Sequence, residues 1–129
     1  MLAGLATGLL VLLVIASHLQ PDPRGYGTHR QLGWPACAMN LLFGIRCPSC
    51  GMTTSWAHLV RGDFAAATKA NTGGTVLGVM AVIAIPWITT SATTGRWLWG
   101  RPRPQVLAMI SIALVVTILL DWLWRLLRG

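Results

Sequence analysis

The chain has 129 residues, 54% of them hydrophobic and only 10% charged, with a net charge of +7. Soluble domains carry about 25% charged residues, so this composition excludes an ordinary water-facing surface and puts much of the chain in lipid. Its acidic residues are Asp22, Asp63 and Asp121, with no glutamate, which excludes paired-carboxylate catalysis and a carboxylate-rich cation site.

The first apolar run, residues 2–19, nearly matches a hydrocarbon core of ~30 Å at about 1.5 Å per residue. No positive segment precedes it, so it reads as a retained span rather than a signal peptide. His18 near its end caps it at the headgroups. The Pro- and Gly-rich stretch "QPDPRGYGTHRQLGWP" reads as a loop. Residues 36–45 are apolar but too few to span, and suit an interfacial or re-entrant segment.

Next comes "RCPSCGMTTSWAHLVRGD", residues 46–63. Met52, Trp56, Leu59 and Val60 share one helical face, predicting a short amphipathic helix at the membrane surface. Thr53 and Thr54 are expected to bond back to helix carbonyls. Asp63 is a plausible N-cap for "FAAATKA". A second span covers residues 73–92, with a kink expected at Pro86. The loop after it carries Trp97, Trp99 and three arginines, an interfacial belt. The third span, residues 105–127, ends in Trp122, Trp124, Arg125 and Arg128; within it, Asp121 pairs with Arg125 four residues on.

The fold class is therefore all-α. It is a small polytopic membrane protein in a single domain, 1–129, with about three spans and a short interfacial or re-entrant helix after the knuckle. The cysteine-containing loop is 20–72. The basic residues are scattered and form no dense run, so the charge faces anionic headgroups rather than nucleic acid. Seven Lys and Arg fall on the side of the first loop and the C-terminus against three opposite, which makes that side cytoplasmic. Gly4 with Gly8, and Gly74 with Gly78, form small-xxx-small patterns suited to close helix approach, within the chain or to a second copy or protein partner.

The knuckle "CPSCG" is the chemical feature. If the following helix begins there, Cys47 is the N-cap and Pro48 takes N1, where its missing N–H is no loss. The helix's positive end would then lower the pKa of Cys47, as a redox pair Cys47/Cys50 requires. The same turn suits zinc, with Cys37 as third ligand and His29 or His58 as fourth. His58 lies eight residues past Cys50, roughly 12 Å along a continuous helix. It reaches the site only if the helix starts later. A third reading is a tight turn in which cysteine merely packs.

"GIRCPSCGMTTSWAHLVRGDFAAATKAN" resembles the signature of domain-of-unknown-function family 2752. These are small bacterial membrane proteins with a C-P-x-C-G-x-T core, a short helix, a Gly-Asp turn and an Asn before the next span. Cys47, Pro48, Cys50, Gly51, Thr53, Gly62, Asp63 and Asn71 fit that pattern, and an upstream cysteine such as Cys37 is usual. Thr54 stands where the family often has Arg, and Thr72 where Pro often follows the Asn. The resemblance implies a bacterial cytoplasmic membrane but no biochemical activity.

Two functions compete. The preferred one is a non-enzymatic membrane protein whose knuckle is a structural thiol or zinc element in a cytoplasmic loop, presented to a partner. The alternative is a membrane thiol–disulfide oxidoreductase using Cys47 and Cys50; such enzymes need a second thiol pair, and only Cys37 is left over.

Overall fold

The computed structural model describes residues 2–98 and 100–128, so Trp99 of the expected belt lies outside them. Among the described residues the chain is all helix and loop. The helices are α1 (Leu2–His18), α2 (Ala38–Phe43), α3 (Met52–Leu59), α4 (Phe64–Ala70), α5 (Thr72–Thr94) and α6 (Pro104–Leu127), with a 3-10 turn at Thr28–Leu32. The long helices form for the reason read from sequence: long apolar runs, with Asp121 and Arg125 near the end of α6 as their charged residues. Helices α5 and α6 are long and apolar enough to cross a membrane, whereas α1, at 17 residues, is shorter. Pro86 lies inside α5, which continues through it to Thr94.

Helix α5 is the hub, packing on α1, α3, α4 and α6. Glycines make this possible. A Cβ on Gly74 would stand 2.6 Å from the Ser55 hydroxyl, and one on Gly78 2.5 Å from Leu59 Cδ2. Gly73 meets Ile118 of α6 in the same way. The stripe of Gly74 and Gly78 is thus covered by α3 within the chain and is not an open face for a second copy. Gly4 and Gly8 have open space beside them. Among the helices of the described residues α6 packs on α5 alone, and it leaves Met109, Ile112 and Leu120 exposed.

Helix α3 bears out part of the sequence reading and corrects the rest. Met52, Trp56 and Leu59 face inward, against Gly74 and Gly78 of α5, but Val60 does not, and the side bearing Thr54, Ser55 and Ala57 is buried as well, so the helix is not amphipathic as expected. It is a core helix held by α1, α4, α5 and the 3-10 turn, and its most buried side chains include Thr54, Ser55 and Ala57. The polar pair is tolerated because each hydroxyl is bonded. Thr54 Oγ1 meets Thr28 Oγ1 at 2.7 Å rather than a helix carbonyl, and Ser55 Oγ donates to the Met52 carbonyl at 2.8 Å. Val60 is exposed. Trp56 Nε1 donates to the Gly74 carbonyl at 2.8 Å, tying α3 to the start of α5.

Asp63 caps α4 as expected, accepting from the Ala66 N–H at 3.0 Å. The loop after α1 is ordered rather than loose. Gln31 exchanges hydrogen bonds with the Gln20 backbone, and the Asp22 N–H donates to Thr28 Oγ1. The Arg24 guanidinium beside Asp22 holds that carboxyl down at about 2. Arg61 donates to the Ser17 and Leu19 carbonyls, closing the open end of α1. The end of α1, the start of α5 and the end of α6 thereby meet around the cysteine loop.

Candidate functional site

The knuckle is a turn, not a helix start. Cys50 N–H donates to the Cys47 carbonyl at 3.0 Å, and α3 begins only at Met52. Its N-cap is Gly51, at φ 93°. The expected placement of Cys47 at the N-cap and Pro48 at N1 is therefore wrong, and Cys47 receives no direct help from a helix N-terminus. The physical reason is Gly51: its left-handed conformation separates the turn from the helix.

The sulfurs of Cys37, Cys47 and Cys50 converge, all within 4.8 Å of one another. Cys47 and Cys50 Sγ are 2.9 Å apart as free thiols, and Cys47 Sγ lies 3.2 Å from Ser49 Oγ. Cys37 comes from a separate segment, as the extended residue preceding α2. The three thiols differ. Burial pushes the Cys50 thiol up to about 12, and its contact with Cys47 adds to this. The N–H groups opening α2, that of Asn40 foremost, draw Cys37 below its ordinary value, without a formed cap hydrogen bond. Metal-stripped protein treated with limiting iodoacetamide at about pH 8 is therefore expected to alkylate at Cys37 before the buried Cys50, as read by peptide mass spectrometry; the reverse order would contradict this geometry.

Neither histidine joins the sulfur cluster. His58 sits in the last turn of α3, with Nδ1 3.6 Å from Asp63 Oδ2. The late helix start does not rescue it. His29 is on the wall of a cavity of about 60 Å³ shared with Cys37, Cys50 and Asn40, but its Nε2 faces the Pro35 carbonyl at 3.3 Å.

What holds the knuckle was not assigned in the sequence. Asn71 is fully buried, and its Nδ2 donates to the Pro48 carbonyl at 3.0 Å and the Cys50 carbonyl at 3.2 Å. Its Oδ1 accepts from the Gly74 N–H at 2.7 Å, capping α5. From α6, Arg125 donates to the same two carbonyls, at 2.9 Å to Cys50 and 3.3 Å to Pro48. Its Nε lies 3.0 Å from Asp121 Oδ2, the expected pair, though no N–H is aligned on that oxygen. The other oxygen accepts from Thr72 Oγ1 at 2.7 Å, which gives Thr72 a role at a position where proline could not supply one. Trp122 Nε1 donates to the Arg46 carbonyl at 2.6 Å. One signal for this was present: an Asp–Arg pair inside an apolar run needs a purpose beyond its own neutrality.

Residues 37–85 match the model of a family described as Protein of unknown function (DUF2752), which bears out the resemblance carried by the motif. The match takes in all three cysteines, α3, α4, Asn71 and the first half of α5. No curated protein and no solved structure matches the chain.

Proposed function

We propose that this chain is an integral membrane protein in which α1, α5 and α6 span the bilayer. The loop between α1 and α5 folds around a zinc ion held by Cys37, Cys47 and Cys50. The chain acts as a structural and partner-presenting element rather than an enzyme. The observation that carries the reading is the convergence of three sulfurs from two separate segments, the knuckle turn and the residue preceding α2. Four-coordinate zinc at about 2.3 Å from each thiolate needs sulfurs roughly 3.8 Å apart. The contacts here run from 2.9 Å to within 4.8 Å, so small side-chain movements suffice. A donor set of three thiolates, joined by no carboxylate among the described residues, suits zinc rather than calcium or magnesium. Such an ion would cross-link α2, which packs on no other element among the described residues, to the knuckle. His29, on the cavity wall, is this chain's own candidate for the fourth position. The excess of Lys and Arg beside the loop and the C-terminus supports a cytoplasmic knuckle, where thiols stay reduced, in a bacterial cytoplasmic membrane.

The 2.9 Å contact between Cys47 and Cys50 favours one second reading, a thiol–disulfide enzyme. Both thiols would lose their protons and join in one S–S bond, and two electrons would pass to a membrane quinone. Against it stand the missing helix N-terminus at Cys47 and the absence of a second thiol pair.

Elemental analysis of the detergent-purified chain, with a native thiol count, tests the proposal. About one zinc per chain is expected, lost in Cys47→Ser and Cys50→Ser, both of which accumulate less in the membrane. No metal with a Cys47–Cys50 disulfide would establish the redox reading instead. No metal with three free thiols would leave only packing. Extraction with alkaline carbonate checks the membrane reading separately: the chain is expected to stay in the pellet.

A further inference from the structure

A cleft of about 860 Å³ lies beside the knuckle, between the end of α6 and the end of α4. Arg46, Lys69, Arg125 and Arg128 line it, against a single carboxylate, Asp121. Asp121 is already engaged by Arg125 and Thr72. Among the described residues, Arg46, Lys69 and Arg128 have no carboxylate within ion-pair distance. Arg46 lies over the Tyr26 ring at 4.4 Å and Arg128 over the Trp124 ring at 4.2 Å. The rings orient these guanidiniums without neutralising them. Uncompensated cations around one concavity create a positive potential that favours an anion.

A second groove, about 510 Å³, adjoins this cleft and shares Thr72, Asp121 and Trp124 with it. Its remaining walls are Thr117, Leu120, Leu123 and Leu127 of α6. It follows α6 from its tryptophan-marked interfacial end toward mid-span. A cationic cleft continuous with an apolar groove matches a ligand with an anionic head and a hydrocarbon tail.

We propose that this composite site binds one anionic phospholipid, its headgroup phosphate among Arg46, Lys69 and Arg128 and an acyl chain along Leu120, Leu123 and Leu127. Soluble phosphate would satisfy the cleft but not the groove, and a zwitterionic lipid the groove but not the net charge. Arg125, on the cleft wall, also donates to the Pro48 and Cys50 carbonyls, so the lipid sits one residue from the cysteine turn. This inference rests on the membrane reading above, and carbonate extraction tests that reading independently.

The experiment is native mass spectrometry of the full chain in neutral detergent, titrated with phosphatidylglycerol or with phosphatidylcholine of the same acyl chains. One phosphatidylglycerol is expected to be retained at least about tenfold more tightly. Removing both exposed charges in Arg46→Gln/Lys69→Gln should weaken it roughly 30-fold and leave phosphatidylcholine unaffected. Exchanging them as Arg46→Lys/Lys69→Arg should preserve binding, with the zinc content and melting profile of both variants showing that the fold is intact. Equal retention of the two lipids, or an unchanged double variant, would overturn the site. So would inorganic phosphate binding the delipidated chain as tightly as phosphatidylglycerol. A chain that stays in the carbonate pellet but shows no lipid preference refutes this inference and leaves the membrane reading standing.

Discussion

Replacing Asn71 with alanine is expected to destabilise the folded chain by about 3–5 kcal/mol, the largest effect of any single polar substitution at this site. The amide makes three side-chain hydrogen bonds from a fully buried position. Removing an N-cap costs about 1 kcal/mol. Leaving buried acceptors unsatisfied costs about 1–3 kcal/mol each. Arg125 still reaches the Pro48 and Cys50 carbonyls, so the loss stays below the sum of the three. Denaturant unfolding in mild detergent would read it, with two further variants to separate the roles. Asn71→Ser keeps an acceptor for the Gly74 N–H and should recover only the cap. Asn71→Asp also keeps the cap but turns a carboxylate oxygen toward two carbonyls, and should be at least as damaging as alanine. Equal, small losses in all three would mean that the knuckle is held from α6 alone.

The consequence for the cysteines is direct. The sulfurs converge only while the turn 47–50 keeps its shape, and that shape is fixed at its carbonyls rather than at its side chains. Asn71 holds it from the start of α5, and Arg125 and Trp122 from the end of α6. If the cluster holds the proposed zinc, Asn71→Ala should therefore lower its retention although Asn71 touches no sulfur. A positioning residue of this kind shows itself as metal loss that saturating zinc restores, whereas a lost ligand is not restored.

Much of this was legible in the chain itself. Apolar runs predict α5 and α6 to within a residue or two, because a span is specified by composition and length alone. The Asp63 cap was legible because capping is local: it needs one side chain and an N–H three residues on. The gathering of the cysteines was half-legible, since a C-x2-C pair closes on itself but nothing in the spacing says where Cys37 goes. Helix α3 was half-read: periodicity found the face that Met52, Trp56 and Leu59 turn to α5, but it ranks Thr54 and Ser55 as polar, although they are buried. The useful signal lay elsewhere: Gly74 and Gly78 announce a close neighbour, and a helix with small residues at Ser55 and Ala57 can be that neighbour. Arg125 and Asn71 were marked but not explained: the Asp121–Arg125 pair stood out in an apolar run and Asn71 fitted the family pattern, yet neither said what it holds. The carbonyls they bind lie 21 to 77 positions away, and a hydrogen bond to a distant carbonyl leaves no pattern of its own.

Gly51→Ala is the second large effect expected, and it tests how the knuckle reaches its lock. At φ 93°, an alanine there costs about 1–2 kcal/mol in backbone strain alone. Its Cβ would also overlap the Ala70 carbonyl oxygen and stand 2.7 Å from the Gly25 carbonyl oxygen. Both are backbone atoms, so neither yields by a rotamer change. Relief requires moving the end of α4, which carries Asn71 with it, or the loop that seats Tyr26. Overpacking of this kind adds about 1–3 kcal/mol. The matched control is Gly44→Ala, where φ is also positive, at 66°, but nothing lies within 4 Å of the added carbon. Gly44→Ala should show the strain cost alone, while Gly51→Ala should show strain plus displacement, together about 2–5 kcal/mol, with loss of the proposed zinc. If the two variants lose the same stability, the close approach of the knuckle to α4 is not what the glycine provides, and Asn71 must be able to follow the turn without it.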